Sequence, residues 1–169
     1  MLTPKDYDRF CLADPDFYEL PERCPDDHDR LPATRRALPR GWDRGQSGWW
    51  VTMRPRETAL PAQGWQIHVS VRLPEVTRAV DIVWGHCTAH GLAFDFVRSH
   101  TAARALCAED ADRRTGGRLA TVHAGDETAL GRCLAALAPL LDGLTGPYVH
   151  GALRYGAGPL YVRYGSSGG

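Results

Sequence analysis

Lysine is almost missing from this chain. Of the twenty basic residues among 169, nineteen are arginine and the single lysine is Lys5, so chemistry that needs a side-chain amine rests on that one position. Charge of one sign is missing too. Twenty acidic residues balance the twenty basic ones, which leaves no field to hold nucleic acid or an anionic membrane surface. No apolar run approaches the roughly 20 residues of a membrane span, and the first ten residues are polar, without the pattern of a signal peptide. The expected location is the cytoplasm. Close cysteine pairs are absent. Cys11, Cys24, Cys87, Cys107 and Cys133 are odd in number and scattered, unlike a zinc site or a redox pair, so reduced and mostly buried thiols are expected. Phosphate-loop and dinucleotide fingerprints are missing as well, and neither a cofactor nor a metal is expected.

What is present is a chain of single-domain length with 43% hydrophobic residues, enough to bury a core of its own. Residues 64–70, G-W-Q-I-H-V-S, alternate as a strand does, with Trp65, Ile67 and Val69 on one face and Gln66, His68 and Ser70 on the other. One imidazole thus stands in a polar strip, where its surroundings set its charge. The remainder falls into order around this strand. Residues 1–45 read as an irregular arm over the core with at most one short helix, and Asp26-Asp27-His28-Asp29 within it as a solvated acidic turn. The glycine-punctuated stretch 41–48 reads as a loop leading into an apolar strand at 49–53. Pro74 opens a helix whose apolar stripe runs from Val76 to Cys87 and which Gly91 stops. His86 and His90 near its end suit the helix dipole better than a metal. Residues 92–97 form a strand expected close to the first in a βαβ-like unit, with Asp95 turned toward the His68 side. Ser99 caps a short helix through Cys107, residues 119–123 make a strand ending in His123, and Asp126 caps a second long helix. Short strands at 148–150 and 160–164 follow, joined by a glycine-rich loop that carries Arg154, with Arg163 inside the last one. Residues 166–169 read as a flexible tail or linker. The sum is an α+β domain, 46–165, with a mixed, largely antiparallel sheet and two long helices.

The chemical inventory is one strand histidine, His68, with Arg113, Arg154 and Arg163 at strand or loop ends. Arginine presents a planar fork of donors that fits phosphate oxygens in pairs. Several of them converging would seat a phosphoryl dianion, and a histidine beside it would donate to the departing oxygen. Elimination of phosphate from phosphoserine or phosphothreonine suits that set, since it needs an acid, a base and charge stabilisation but no metal or nucleotide. A metal hydrolase built on His86, His90 or the turn at 26–29 is the weaker competitor.

Residues 42–165 resemble the N-terminal lyase domain of class III and class IV lanthipeptide synthetases, itself similar to the phosphothreonine lyases used as bacterial effectors. The likeness is carried by G-W-D-R-G-Q-S-G-W-W-V at 41–51, W-Q-I-H-V-S at 65–70, D-I-V-W at 81–84, G-L-A-F-D-F-V-R-S at 91–99, D-R-R-T-G-G-R at 112–118 and G-P-Y-V…L-R-Y-G-A-G-P-L-Y-V-R-Y-G at 146–165. The resemblance implies His68 as general acid and Arg113, Arg154 and Arg163 as phosphate ligands. It also implies a phosphorylated precursor peptide as substrate and kinase and cyclase domains as neighbours in a longer protein. Three positions depart from the family pattern. Gln66 stands where a phosphate-side lysine is expected, Asp95 where the base lysine sits in an F-K-F segment, and His123 where a tyrosine ends a T-x-Y strand. Lys5 replaces those amines only if the N-terminal arm reaches the site. Two expectations therefore stand side by side: a lyase in which Asp95 or His123 takes the α-proton, and a degenerate module that binds the phosphorylated or leader peptide without eliminating.

Overall fold

The computed structural model describes residues 26–167. Seven strands form one sheet: β1 (Trp42–Ser47), β2 (Trp50–Pro55), β3 (Gln63–Val69), β4 (Phe94–Val97), β5 (Ala120–Gly125), β6 (Leu153–Arg154) and β7 (Leu160–Ser166). Their order is β1-β2-β4-β5-β3-β7-β6, and every pairing is antiparallel. The helices are α1 (Val76–His90), α2 (His100–Cys107) and α3 (Glu127–Leu140). This is the α+β class with two long helices that the sequence implies. Among the described residues no helix is long and apolar enough to cross a membrane.

The alternation read in β3 extends across the sheet, because residues paired directly on neighbouring strands share a face. Ile67 lies opposite Val122 and Val162, Val69 opposite Ala120 and Leu160, and Phe96 opposite Val51 and Ala120. Helices α1 and α3 close this apolar side with Val80, Val83, Trp84 and Cys87 from one and Cys133, Leu134 and Leu137 from the other. The Trp84 ring meets Phe94 and Phe96 edge-on at 5.8 and 6.2 Å. Truncating either buried phenylalanine would cost about 3–5 kcal/mol.

The helix ends follow local chemistry. Gly91 takes φ +66° at the C-cap of α1, and the side chains of Ser99 and Asp126 accept the Ala102 and Ala129 amides. Pro74 lies in a 3-10 turn, Leu73–Glu75, just ahead of α1.

Several local expectations are corrected. Residues 42–47 are not loop but β1, joined to β2 through Gly48 at φ +56°. D-R-G-Q-S carries no apolar alternation because this edge strand is largely exposed, so its pairing is set by β2 and not by burial. Strand β4 is not beside β3, since β5 lies between them. Residues 148–150 are irregular. The segment is pressed onto the end of β3: the Ser70 hydroxyl donates to the Pro147 carbonyl at 2.5 Å, and a Cβ at Gly146 would lie 2.5 Å from Val71 N. Strand β7 runs through Ser166, and the Ser167 amide donates to the Ala62 carbonyl at 3.0 Å, so ordered pairing extends into the stretch read as a tail.

Two carboxylates of the acidic turn, Asp26 and Asp29, are not left to solvent either. Asp26 is 2% exposed and accepts from Arg98 Nε at 2.8 Å and from the Ser99 hydroxyl, while Asp29 accepts the Thr101 amide at 2.9 Å. Leu31 and Ala33 enter the core. Lys5, Cys11, Cys24, the rest of residues 1–25 with any helix there, and residues 168–169 lie outside the described residues.

Candidate active site

The sheet face opposite α1 and α3 is polar, and register alone assembles its groups. Thr52, Asp95, Thr121, His68, Tyr161 and Arg154 stand in one row across β2, β4, β5, β3, β7 and β6. The next row holds His123, Gln66 and Arg163 on β5, β3 and β7. Strands about 4.8 Å apart place His68 diagonally beside both His123 and Arg163. The sequence expectation that Asp95 turns to the His68 side is met through Thr121, which lies between them.

His68 is 2% exposed. Its Nδ1 pairs with Thr121 Oγ1 at 2.8 Å, and its Nε2 is buried without a hydrogen-bond partner. Burial, then the charges of Arg118 and Arg163 and the His123 ring, push its pKa down to about 3. The imidazole is therefore neutral in the free protein, with one nitrogen reserved.

Asp95 and His123 form a pair. His123 Nε2 lies 2.8 Å from Asp95 Oδ2, and Arg54 Nη1 is 2.7 Å from Oδ1. Burial raises the Asp95 pKa, but His123 and Arg54 outweigh it and the net shift is downward. A carboxylate held ionised accepts, so the His123 Nε2 carries the hydrogen and donates. In the neutral ring that leaves the lone pair on His123 Nδ1, which is buried and unpartnered. A cavity of about 100 Å³ lined by Pro61, Trp65, Leu92 and Ala93 has His123 in its wall.

The arginines divide. Arg163 is half-buried, its Nε is unpartnered, and its charge acts on His68. Its guanidinium lies back over Gly165, where a Cβ would meet Nη2 at 2.8 Å. Arg154 sits at the sheet edge, exposed, donating to the Gly158 and Ala157 carbonyls at 3.0 and 2.7 Å and lying 5.9 Å from the Tyr161 ring centroid. Tyr161 separates it from His68. Arg113 is exposed in the turn before β5 and makes no contact that ties it to His68. Gln66 donates its Nε2 to the Ser166 carbonyl at 2.6 Å. The residue that sequence reasoning passed over is Arg118, whose charge reaches both His68 and Arg163. Its only signal was its place two residues ahead of a buried strand, after two glycines. His86 and His90 are on α1, across the sheet. Their ring centroids lie 4.5 Å apart with the planes tilted by 31°, and His90 Nδ1 bonds the His86 carbonyl.

Comparison with known proteins agrees with this architecture. The family described as RamC, N-terminal domain, matches residues 30–168. The probable SapB synthase of Streptomyces coelicolor is 42% identical in an alignment over 165 residues that covers 95% of this chain and 18% of that protein. The chain thus spans 18% of that relative's length. The phosphothreonine lyase effector VirA (SpvC) of Chromobacterium violaceum superposes with a TM-score of 0.55 at 18% identity, over 85% of this chain and 79% of that one. The type III effector and phosphothreonine lyase OspF of Shigella flexneri gives 0.53 at 14% identity, over 78% and 72%. At these identities the structural likeness is one of fold. By the match over residues 30–168, this chain belongs to the family of RamC N-terminal domains.

Proposed function

We propose that this domain is a phosphoserine/phosphothreonine lyase of a lanthipeptide synthetase, removing phosphate from a precursor peptide to leave dehydroalanine or dehydrobutyrine. One observation supports the reading above the others. Among the described residues, seven buried side-chain atoms lack a hydrogen-bond partner, and four of them are His68 Nε2, Arg118 Nε, His123 Nδ1 and Arg163 Nε. Buried polar atoms left unsatisfied together are costly unless a ligand completes them, and three of these four groups are the kind that hold a phosphate.

In this reading the phosphoryl group lies against Arg163 and His68. Its negative charge offsets the arginines that keep the imidazole neutral, so His68 gains a proton as substrate binds. Protonated His68 donates Nδ1–H to Thr121 and Nε2–H to the bridging oxygen. His123 Nδ1 takes the α-hydrogen, with Asp95 fixing the ring and stabilising the imidazolium. The Cα–H electrons become the Cα–Cβ π bond, the Cβ–O bond breaks, and phosphate leaves with the proton from His68. A histidine–carboxylate pair thus does the work of the family's amine, and Lys5 is not required. Asp95 is the positioning residue, because a carboxylate held below its usual range is a poor base by itself. Arg154, Arg113 and Gln66 serve the peptide side of the site. Kinase and cyclase domains of the same cytoplasmic protein supply the phosphopeptide and consume the alkene.

The test is incubation of the domain with precursor peptide phosphorylated on serine or threonine, followed by mass spectrometry. Loss of phosphoric acid is expected. Tight phosphopeptide binding with no mass change would replace the lyase by the scaffold reading, which the departure at Asp95 favours.

A further inference from the structure

We propose that Arg118 is a phosphate-binding residue of this site, forming with Arg163 and His68 the cradle that receives the dianion. This deepens the phosphoester reading and rests on it for the identity of the substrate; the place of Arg118 rests on its buried, unpartnered Nε and on the contacts that hold it. Arg118 lies two residues ahead of β5, and its backbone carbonyl accepts Trp50 Nε1 at 3.1 Å, so its position is pinned to β2. On the other side its Nη2 donates to the His150 carbonyl at 3.3 Å. Gly117, at φ +75°, lets this approach happen: a Cβ there would lie 3.2 Å from the Pro147 carbonyl and the Ser70 hydroxyl. The guanidinium is thereby held between the 146–152 segment and β5 with Nε buried and unpartnered.

What it faces is positive. Burial and the Arg163 charge lower its own pKa, and the opposing carboxylate, Asp112, is exposed and already spanned by Arg114 at 3.0 Å. A half-buried guanidinium that feels the charge of a second one, beside a buried neutral imidazole, needs a counter-charge. A phosphoryl dianion supplies it. It would accept from Arg118 Nε, Arg163 Nε and His68 Nε2, the three donors that the protein leaves unused. Neither Arg113 nor Arg154 offers a buried, unused Nε: the first is exposed, and the second is exposed and spends its Nε on the Gly158 carbonyl.

The experiment titrates the full chain with inorganic phosphate while following the His68 imidazole by NMR. In the wild-type protein phosphate should perturb the His68 resonances and move their titration upward in pH. Arg118→Gln should weaken phosphate at least tenfold and, in phosphate-free protein, also move the His68 titration upward, a response to lost charge that a purely structural role does not produce. Arg118→Lys should recover part of both effects, and Arg113→Gln should lose less affinity than Arg118→Gln. Phosphate affinity and His68 titration unchanged in Arg118→Gln overturn the proposal, as does a larger loss in Arg113→Gln. Phosphate binding with this pattern but no elimination from phosphopeptide supports the Arg118 cradle and sinks the lyase reading, so the two failures are distinguishable.

Discussion

A single imidazole sets the problem at the scale of residues. His68 has a pKa of about 3 in the free protein because it is buried and faces Arg118, Arg163 and His123, so the acid role proposed for it requires an anion that changes its field. In the proposed reaction the complementary role falls to His123, whose buried and unpartnered Nδ1 is the ring nitrogen not bonded to Asp95. Replacing His123 by Phe should lower kcat by about 10²–10⁴, the usual worth of a general base, and Asp95→Asn should lower it by a smaller factor while leaving KM nearly unchanged. Single-turnover elimination, followed by mass spectrometry, separates the two terms. Arg163→Gln should instead raise KM. A subtler case is Gly165→Ala, whose new Cβ would meet the Arg163 guanidinium at 2.8 Å. Because the group it displaces is the end of a flexible side chain, stability should hold while phosphate affinity falls roughly tenfold, about 1.4 kcal/mol. Unchanged phosphate binding in Gly165→Ala would show that the guanidinium need not lie along the strand.

Elements differ in how far their own residues determine them. Helix α3 begins where Asp126 accepts the Ala129 amide at 2.8 Å, a signal written in one side chain, and Asp126→Ala should cost about 1 kcal/mol in urea unfolding. Ser99 caps α2 in the same way, but its hydroxyl also bonds Asp26, so its loss reaches the N-terminal segment too. The 146–152 segment is the opposite case. Nothing periodic marks it, and its path is fixed by the fit of Gly146 against Ser70 and Val71. Gly146→Ala should cost about 1–3 kcal/mol, the scale of an overpacked contact. By shifting the His150 carbonyl it should also reduce phosphate affinity, which the same NMR titration would register.

For the whole molecule these buried charges link stability to pH. The His68 pKa is depressed from 6.5 to about 3 in the fold. Above pH 6.5 both folded and unfolded chains are neutral there and the full contribution is present. As pH falls below that value the unfolded chain takes up a proton that the fold refuses, and stability drops by about 1.4 kcal/mol per pH unit until the folded pKa is reached. Asp26 and Asp95 act in a lower window: their folded pKa values lie below 3.8, so their contribution holds above that pH and is lost as pH falls through the folded values. Urea unfolding between pH 4 and 6.5 should therefore show a slope that His68→Asn reduces by about one proton and that saturating phosphate reduces in the wild-type protein. An identical slope in His68→Asn would mean that the imidazole is not held neutral by the fold. Asp26→Asn should lower stability at neutral pH by about 3–5 kcal/mol, since it removes the carboxylate of a buried ion pair with Arg98.

The sequence by itself determined what depends on near neighbours: the face of β3 that carries His68, the caps at Ser99, Gly91 and Asp126, the apolar stripes of the two long helices and the α+β class. Cβ alternation, helical period and capping act over a few residues, and single positions announce them. Only the tertiary structure decided that Thr121 would stand between His68 and Asp95, that β1 would be a strand at all, and that Arg118 would be the arginine brought near His68 beside Arg163. Those outcomes come from pairing partners and from close contacts such as Gly117 with Pro147, joining residues tens of positions apart. Exposed polar stretches carry no pattern that tells such a strand from a loop, and a guanidinium looks the same in sequence whether it meets solvent or a buried imidazole.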